Sequence, residues 1–236
     1  MNIDAIFRNE TNRKLLGGIY PIIDINPQSD IRAILDWAGH LPDAGINIVQ
    51  VRAKRFSDDV LAGILDEVIG ELSGSGLTVV LNDYVELAGI TGSHGVHLGI
   101  DDFPVFEARA ILGPDAIVGA TCRNFADALL AAGQGASYIA AGSIFQSPTK
   151  PGAPIIGIDG LTEIVSHLDS EAPPRPGWGQ RDNVPVCAIG GINKENLKEV
   201  HNAGASMVAV ISAITDSDNP LESAKTIVDE WKKLQT

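Results

Sequence analysis

Three features of the 236-residue chain predict a single closed (β/α)8 barrel, the TIM-barrel architecture. Eight short apolar runs alternate with eight longer amphipathic segments. The runs are nearly continuous in apolar residues, as strands of a parallel sheet covered on its outside by helices must be. The length lies near the roughly 250 residues usual for such a barrel. A doubly wound open sheet would use the same alternation, but no GxGxxG follows the first strand.

The expected strands are Gly18–Asp24, Ile46–Arg52, Thr78–Asn82, Gly95–Leu98, Ala116–Gly119, Tyr138–Ala141, Val184–Ile189 and Met207–Val210. Helical periodicity is read over Ile31–Leu41, Asp58–Leu72, Val85–Thr91, Val105–Leu112, Phe125–Gln134, Leu161–Leu168, Asn196–Ala203 and Leu221–Leu234. Ala44-Gly45-Ile46, Gly135-Ala136-Ser137 and Ala203-Gly204-Ala205-Ser206 each fall between a helix and the next strand, where a glycine suits a left-handed helix stop. Residues 1–16 form an N-terminal extension, with a short extra helix expected over 2–14. Residues 169–183, rich in Pro and Gly, read as a surface loop inserted before the seventh strand. No domain boundary interrupts the chain.

Composition narrows the function. Hydrophobic content of 44% with 20% charged residues is that of a globular protein, and a net charge of −13 argues against nucleic acid or an anionic membrane as partner. An anionic substrate would need a local cluster of Lys and Arg. Cys122 and Cys187 lie far apart with no zinc-ligand spacing, which suggests a reducing compartment and no disulfide. Charges at Asp4, Arg8, Glu10, Arg13 and Lys14 break the N-terminus, so no secretory signal is read and the cytoplasm is the expected location. The oligomeric state is left open, a homo-oligomer included.

In a barrel of this kind the chemistry gathers at the C-terminal strand ends. The loop after the sixth strand carries Ser147, Thr149 and Lys150, two hydroxyls and an ammonium fit to hold an anion, although an ordinary polar turn would look similar. The second strand ends in Gln50, Arg52 and Lys54, which alternation puts on one side. The third ends in Asn82-Asp83 and the fourth leads to Asp101-Asp102. Carboxylates at neighbouring strand ends suit Mg²⁺, which takes one or two of them with waters and phosphate oxygens. One of Asp101 and Asp102 is expected to cap the helix beginning near Phe103, the other to serve the metal. His97 is read as a packed, hydrogen-bonded histidine. Gly190-Gly191-Ile192-Asn193 and Ile211-Ser212 follow strands seven and eight, whose loops often form a phosphate site from backbone amides. The layout suits two phosphorylated reactants or one bisphosphate.

These residues fall in segments that resemble the thiamine-phosphate synthase (thiamine-phosphate pyrophosphorylase) family: QVRAK (50–54), NDYVELA (82–88), GVHLGIDD (95–102), GATCRN (119–124), AGSIFQSPTKP (141–151), AIGGIN (188–193) and VAVISAI (208–214). The resemblance runs from about Gly18 to the C-terminus. It implies a transferase that joins hydroxymethylpyrimidine diphosphate to hydroxyethylthiazole phosphate, giving thiamine phosphate and pyrophosphate by a dissociative, Mg²⁺-dependent route. It further implies that Gln50, Arg52, Lys54 and Asn82 hold the pyrimidine and its diphosphate, and that Asp83 and Asp102 hold Mg²⁺. Thr121 and Lys150 would contact the leaving diphosphate, Ser147 and Thr149 the thiazole phosphate side, and Gly191, Ile211 and Ser212 the thiazole phosphate itself. Tyr84, Ile100 and Arg123 depart from the family's usual residues. A related thiazole tautomerase, or a non-catalytic barrel binding thiamine precursors, would share the phosphate site. The tautomerase would not need the diphosphate and metal residues, and the Ser-x-His histidine that could shuttle its proton is missing at Arg123.

Overall fold

In the computed structural model, residues 15–171 and 184–236 are described, and the N-terminal helix expected over 2–14 lies outside them. Eight parallel strands close in sequence order, β1 pairing with β8. They are β1 (Gly18–Asp24), β2 (Ile48–Arg52), β3 (Thr78–Asn82), β4 (Gly95–Leu98), β5 (Ile117–Cys122), β6 (Tyr138–Gly142), β7 (Val186–Ile189) and β8 (Met207–Val210). The connecting helices are α1 (Ile31–Ala38), α2 (Asp58–Gly74), α3 (Val85–Ile90), α4 (Val105–Leu112), α5 (Phe125–Gly133), α6 (Gly157–Glu171), α7 (Leu197–Asn202), α8 (Ser212–Thr215) and α9 (Pro220–Leu234). The barrel predicted from the alternating pattern is the barrel observed.

The differences are local. Gly39 ends the first helix early, and Leu41–Ala44 forms a separate 3-10 turn with Pro42 in its first positions. Strand β5 runs on to Cys122, so Thr121 stands on the strand itself. Helix α6 begins at Gly157 and its last turn takes in residues 169–171 of the expected loop, the remainder of which lies outside the described residues. Gly45, Gly135 and Gly204, the three helix stops, adopt φ of 84°, 95° and 90°, the left-handed geometry that glycine reaches without a Cβ penalty.

Strand alternation divides the core in two. Outward residues such as Val49, Val51, Val79, Leu81, Val118 and Ile139 pack under the helices. Inward residues Tyr20, Ile22, Ile48, Val80, Ile117, Tyr138, Ala140, Cys187, Met207 and Ala209 fill the barrel. Both cysteines are free and buried, and burial pushes the Cys122 thiol up to about 12. The filling is apolar toward the N-terminal ends of the strands and turns polar above: Gln50 follows Ile48, Asn82 follows Val80 and Thr121 lies two positions past Gly119. That gradient opens the pocket at the C-terminal mouth. No helix among the described residues is long and apolar enough to cross a membrane.

Candidate active site

All thirteen residues singled out in the sequence line one pocket at the C-terminal mouth: Gln50, Arg52, Lys54, Asn82, Asp83, Asp102, Thr121, Ser147, Thr149, Lys150, Gly191, Ile211 and Ser212. Seven strand ends and their loops, β2 to β8, therefore converge. Arg123 lines the same pocket, whereas Tyr84 and Ile100, the other two departures from the family pattern, are not among its lining residues.

Strand β2 delivers Gln50 and Arg52 as alternation requires, and Lys54 follows two residues past its end. Arg52 Nη1 donates to Asp24 Oδ2 at 2.7 Å, and the partly buried pair fixes the guanidinium at the mouth. Asp24, the last residue of β1, is a positioning partner that the sequence reading missed. Its only sequence signal is a charge closing an apolar run. Lys54 Nζ lies 2.5 Å from Asp83 Oδ2. Asp83 is the one non-glycine described residue with positive φ, 67°, a conformation that costs energy and that short polar side chains tolerate best. Its N–H donates to His97 O at 2.8 Å, which locks the turn and aims the carboxylate toward Lys54.

Asp102 comes from the loop after β4. Its Oδ2 accepts from the Gly99 N–H at 2.7 Å, and any side chain at position 99 would collide with that carboxylate oxygen. Neither Asp101 nor Asp102 caps the following helix: α4 starts at Val105 behind Pro104 with no side-chain cap. The expected division of labour fails because Asp102 spends its oxygen on closing its own loop. Partial loss of water and the adjacent Asp83 carboxylate hold the Asp102 carboxyl above the ordinary range. Among the described residues no group of three or more His, Cys, Asp and Glu could hold a metal ion. Asp83 and Asp102 are two neighbouring carboxylates on the pocket wall.

Lys150 reaches the pocket from the loop after β6. Its pKa is lowered, first by withdrawal from water and then by Lys54 and Arg52, so the three cations share one field. Asn82 is 7% exposed, and its Nδ2 has no hydrogen-bond partner among the described residues. A buried donor left open is costly, and its place on the pocket wall suits an acceptor oxygen of a ligand.

The other wall is backbone. Gly190 and Gly191 have φ of 104° and 65°, and a Cβ at either would strike the β6 loop, at Ser143 or at the Gln146 carbonyl. Ile144 and Phe145 donate their N–H groups to the Ile189 and Gly190 carbonyls at 2.9 Å, tying the two loops together. Asn196 Nδ2 donates to Gly191 O at 2.9 Å and holds the glycine turn from below. Ile211 precedes the single turn of α8, which Ser212 opens, and first-turn N–H groups of a helix have no partner within it.

His97 lines the pocket floor, as packed and hydrogen-bonded as expected. Its Nδ1 meets Tyr138 Oη and its Nε2 meets Thr121 Oγ1, both at 2.9 Å. Burial, with Lys150 adding to it, lowers its pKa to about 4, so the ring is neutral near pH 7.

Comparison with known proteins gives the family and the fold. The model of the family described as thiamine monophosphate synthase matches residues 19–214. The chain is 33% identical to the thiamine-phosphate synthase of Caldivirga maquilingensis over 92% of its own length and 98% of the relative's. It is 38% identical to that of Caldanaerobacter subterraneus, over 74% of this chain and 75% of the relative. A bifunctional thiamine biosynthesis protein of Symbiobacterium thermophilum is 37% identical, this chain spanning only 37% of its length. Among solved structures, thiamine phosphate pyrophosphorylase from Pyrococcus furiosus superimposes with a TM-score of 0.75 at 25% identity, covering 98% of this chain and 100% of that one. A hexulose-6-phosphate synthase at 19% identity shares the fold alone. With the family pattern matched across nearly the whole barrel, the chain belongs to the thiamine monophosphate synthase family.

Proposed function

We propose that this pocket couples hydroxymethylpyrimidine diphosphate to hydroxyethylthiazole phosphate, releasing thiamine phosphate and pyrophosphate. The observation that carries the reading is the meeting of Arg52, Lys54, Asn82, Asp83, Asp102 and Lys150 with the glycine turn after β7 and the Ile211-Ser212 turn after β8 in one cavity. The first set suits a diphosphate and the second a monophosphate.

The bond from the pyrimidine methylene carbon to the diphosphate oxygen breaks first, its electron pair leaving with pyrophosphate. The thiazole nitrogen then donates its lone pair to the carbon. Neither step needs a strong base, in keeping with a neutral His97 and two unreactive buried thiols. Arg52, Lys54 and Lys150 stabilise the charge that grows on the leaving group, and Asn82 Nδ2 donates to one of its oxygens. Preorganised cations of this kind contribute on the order of several kcal/mol. Arg52 acts from a fixed place because Asp24 holds it. Gln50 and Thr121 orient the pyrimidine, Thr121 being assigned to the ring rather than to the diphosphate that the resemblance implied, because its hydroxyl is held by His97 on the pocket floor. The Gly191 and Ser212 backbone, with Ser147 and Thr149, holds the thiazole phosphate.

Asp83 and Asp102 are the residues that would hold Mg²⁺. Two adjacent carboxylates, one with its pKa raised by burial and then by the other, fit a hard divalent cation, and a pair rather than a full cage fits an ion that keeps waters and phosphate oxygens. When bound, the ion supplies Lewis-acid stabilisation of the departing diphosphate. The test is to mix the purified protein with both phosphorylated precursors and Mg²⁺. Thiamine phosphate and pyrophosphate are expected in equal amounts, and a folded protein that forms neither overturns the proposal.

A further inference from the structure

Beneath the pocket a line of hydrogen bonds crosses the barrel interior. Gln50 Nε2 donates to Tyr20 Oη at 3.3 Å, and Tyr20 Oη and Tyr138 Oη are 3.0 Å apart. Tyr138 Oη meets His97 Nδ1, and His97 Nε2 meets Thr121 Oγ1. Strands β2, β1, β6, β4 and β5 each contribute one member. Gln50, Tyr20, Tyr138 and His97 are between 0% and 5% exposed. The two ends, Gln50 and Thr121, line the pocket, while neither tyrosine does.

Apolar side chains of the same size would fill this space at lower cost, since every buried polar atom here must be satisfied. The barrel even makes room for the line: a Cβ on Gly119 would run into the Tyr138 ring. Tyr20 packs edge-on against Tyr138 at 5.7 Å, and His97 stacks on it at 5.6 Å, so the rings cannot easily turn away.

The protons along the line are not independent. Each phenol has one proton to give, and a neutral imidazole has one N–H and one acceptor nitrogen. Burial raises both phenol pKa values and lowers that of His97, so all three stay neutral around pH 7. With the Gln50 amide donating, Tyr20 passes its proton toward Tyr138, and Tyr138 toward His97 Nδ1. His97 then carries its proton on Nε2 and donates to Thr121, whose own hydroxyl proton is left to point into the pocket. Reversing any one member reverses them all.

We infer that Tyr20, Tyr138 and His97 are positioning residues that couple Gln50 to Thr121, so that the pocket offers an acceptor oxygen at Gln50 together with a donor hydroxyl at Thr121. That pair matches a heteroaromatic ring bearing an amino donor near a ring-nitrogen acceptor, such as an aminopyrimidine. The ring assignment rests on the coupling reaction proposed above; the proton order does not.

Nitrogen-detected NMR of histidine-labelled, ligand-free protein tests the order directly, with the His97 signal assigned by a His97→Gln variant. The Nε2–H tautomer is expected in the wild type, and a mixture of both tautomers in Tyr20→Phe, although Tyr20 has no hydrogen bond to His97. An Nδ1–H tautomer in the wild type overturns the inference, as does an unchanged tautomer in a folded Tyr20→Phe. The wild-type spectrum stands alone if that variant does not fold. In steady-state coupling, Tyr138→Phe should raise KM for the pyrimidine diphosphate about tenfold, the loss expected from one misplaced hydrogen-bonding group, and leave KM for the thiazole phosphate within about twofold. Equal changes in both KM values, or none, count against it. A wild-type protein that makes no thiamine phosphate would instead sink the proposed reaction, leaving the spectra to decide the proton order.

Discussion

The mouth of this barrel is built in two ways. At the ends of β2 to β4, and at Lys150, the working groups are side chains that project past the strands. After β7 and β8 they are backbone groups, and the Gly190-Gly191 turn after β7 admits no side chain. The charged residues sit on a scaffold whose stability comes from elsewhere: Lys54 and Asp83 pair with each other above a core of Val49, Val51 and Leu81. The glycine wall is itself part of the scaffold, because Gly190 and Gly191 touch the β6 loop so closely that a methyl group would strike it. Chemistry and stability are therefore separable on one wall and fused on the other.

The largest expected effect falls on the separable wall. Chelation of divalent metal should abolish product formation and leave thermal unfolding unchanged, measured by thiamine phosphate yield and by calorimetry. Activity that persists in excess EDTA removes the metal from Asp83 and Asp102. Next in size, Lys150→Ala should lower kcat by about 10²–10³-fold, the cost typical of losing one preorganised electrostatic donor, with little change in Tm. Wild-type turnover in that variant would return Ser147–Lys150 to an ordinary polar turn.

Gly191→Ala should break the contrast from the other side. A non-glycine residue at φ 65° and a clash with the Gln146 carbonyl together cost about 2–3 kcal/mol, which lowers Tm by roughly 5–10 °C in a domain of this size. Activity should fall with it, and KM for the thiazole phosphate should rise more than KM for the pyrimidine diphosphate. A variant that loses activity at unchanged Tm would show the two walls to be alike.

A smaller effect sharpens the electrostatic side. Because desolvation, Lys54 and Arg52 lower the Lys150 pKa, its ammonium loses its proton below the ordinary lysine value of 10.5. The kcat/KM profile should decline on the alkaline side below that pH, and Lys150→Arg should remove the decline because a guanidinium stays charged. The stability sign is opposite: the unfolded chain holds this proton more tightly, so raising pH through the interval favours the folded state. An identical alkaline limb in Lys150→Arg would assign the titration elsewhere.

The same division governs what could be read from the sequence. Strands β1, β3, β4 and β8 were legible to the residue because each is an apolar run with a polar or glycine boundary. Gln50 and Arg52 were legible because a period of two brings them together within one strand, and Lys54 because it continues that spacing just past the strand end. Helix α8 was missed, since four residues are too few to show a helical period. The Asp102 cap was misread because a loop can satisfy its own Gly99 N–H before the helix starts. The Tyr20–Tyr138 contact was invisible for a different reason. Its members lie 118 residues apart, and each tyrosine alone looks like an ordinary core aromatic.

Asp24 gives the finest test of how far the charged wall depends on being held in place. It touches Arg52 but is not among the residues lining the pocket, so any effect must pass through the guanidinium. Asp24→Asn keeps the shape and an acceptor oxygen while removing the charge, which weakens a charge-assisted bond by about 1 kcal/mol. The expected loss in kcat/KM is about three- to tenfold, borne by the pyrimidine diphosphate and not by the thiazole phosphate. Asp24→Glu should recover less than its charge suggests, because the longer arm displaces Arg52 rather than releasing it. If Asp24→Asn keeps full activity, Arg52 is aimed by the pocket wall alone and the Asp24 carboxylate only balances its charge.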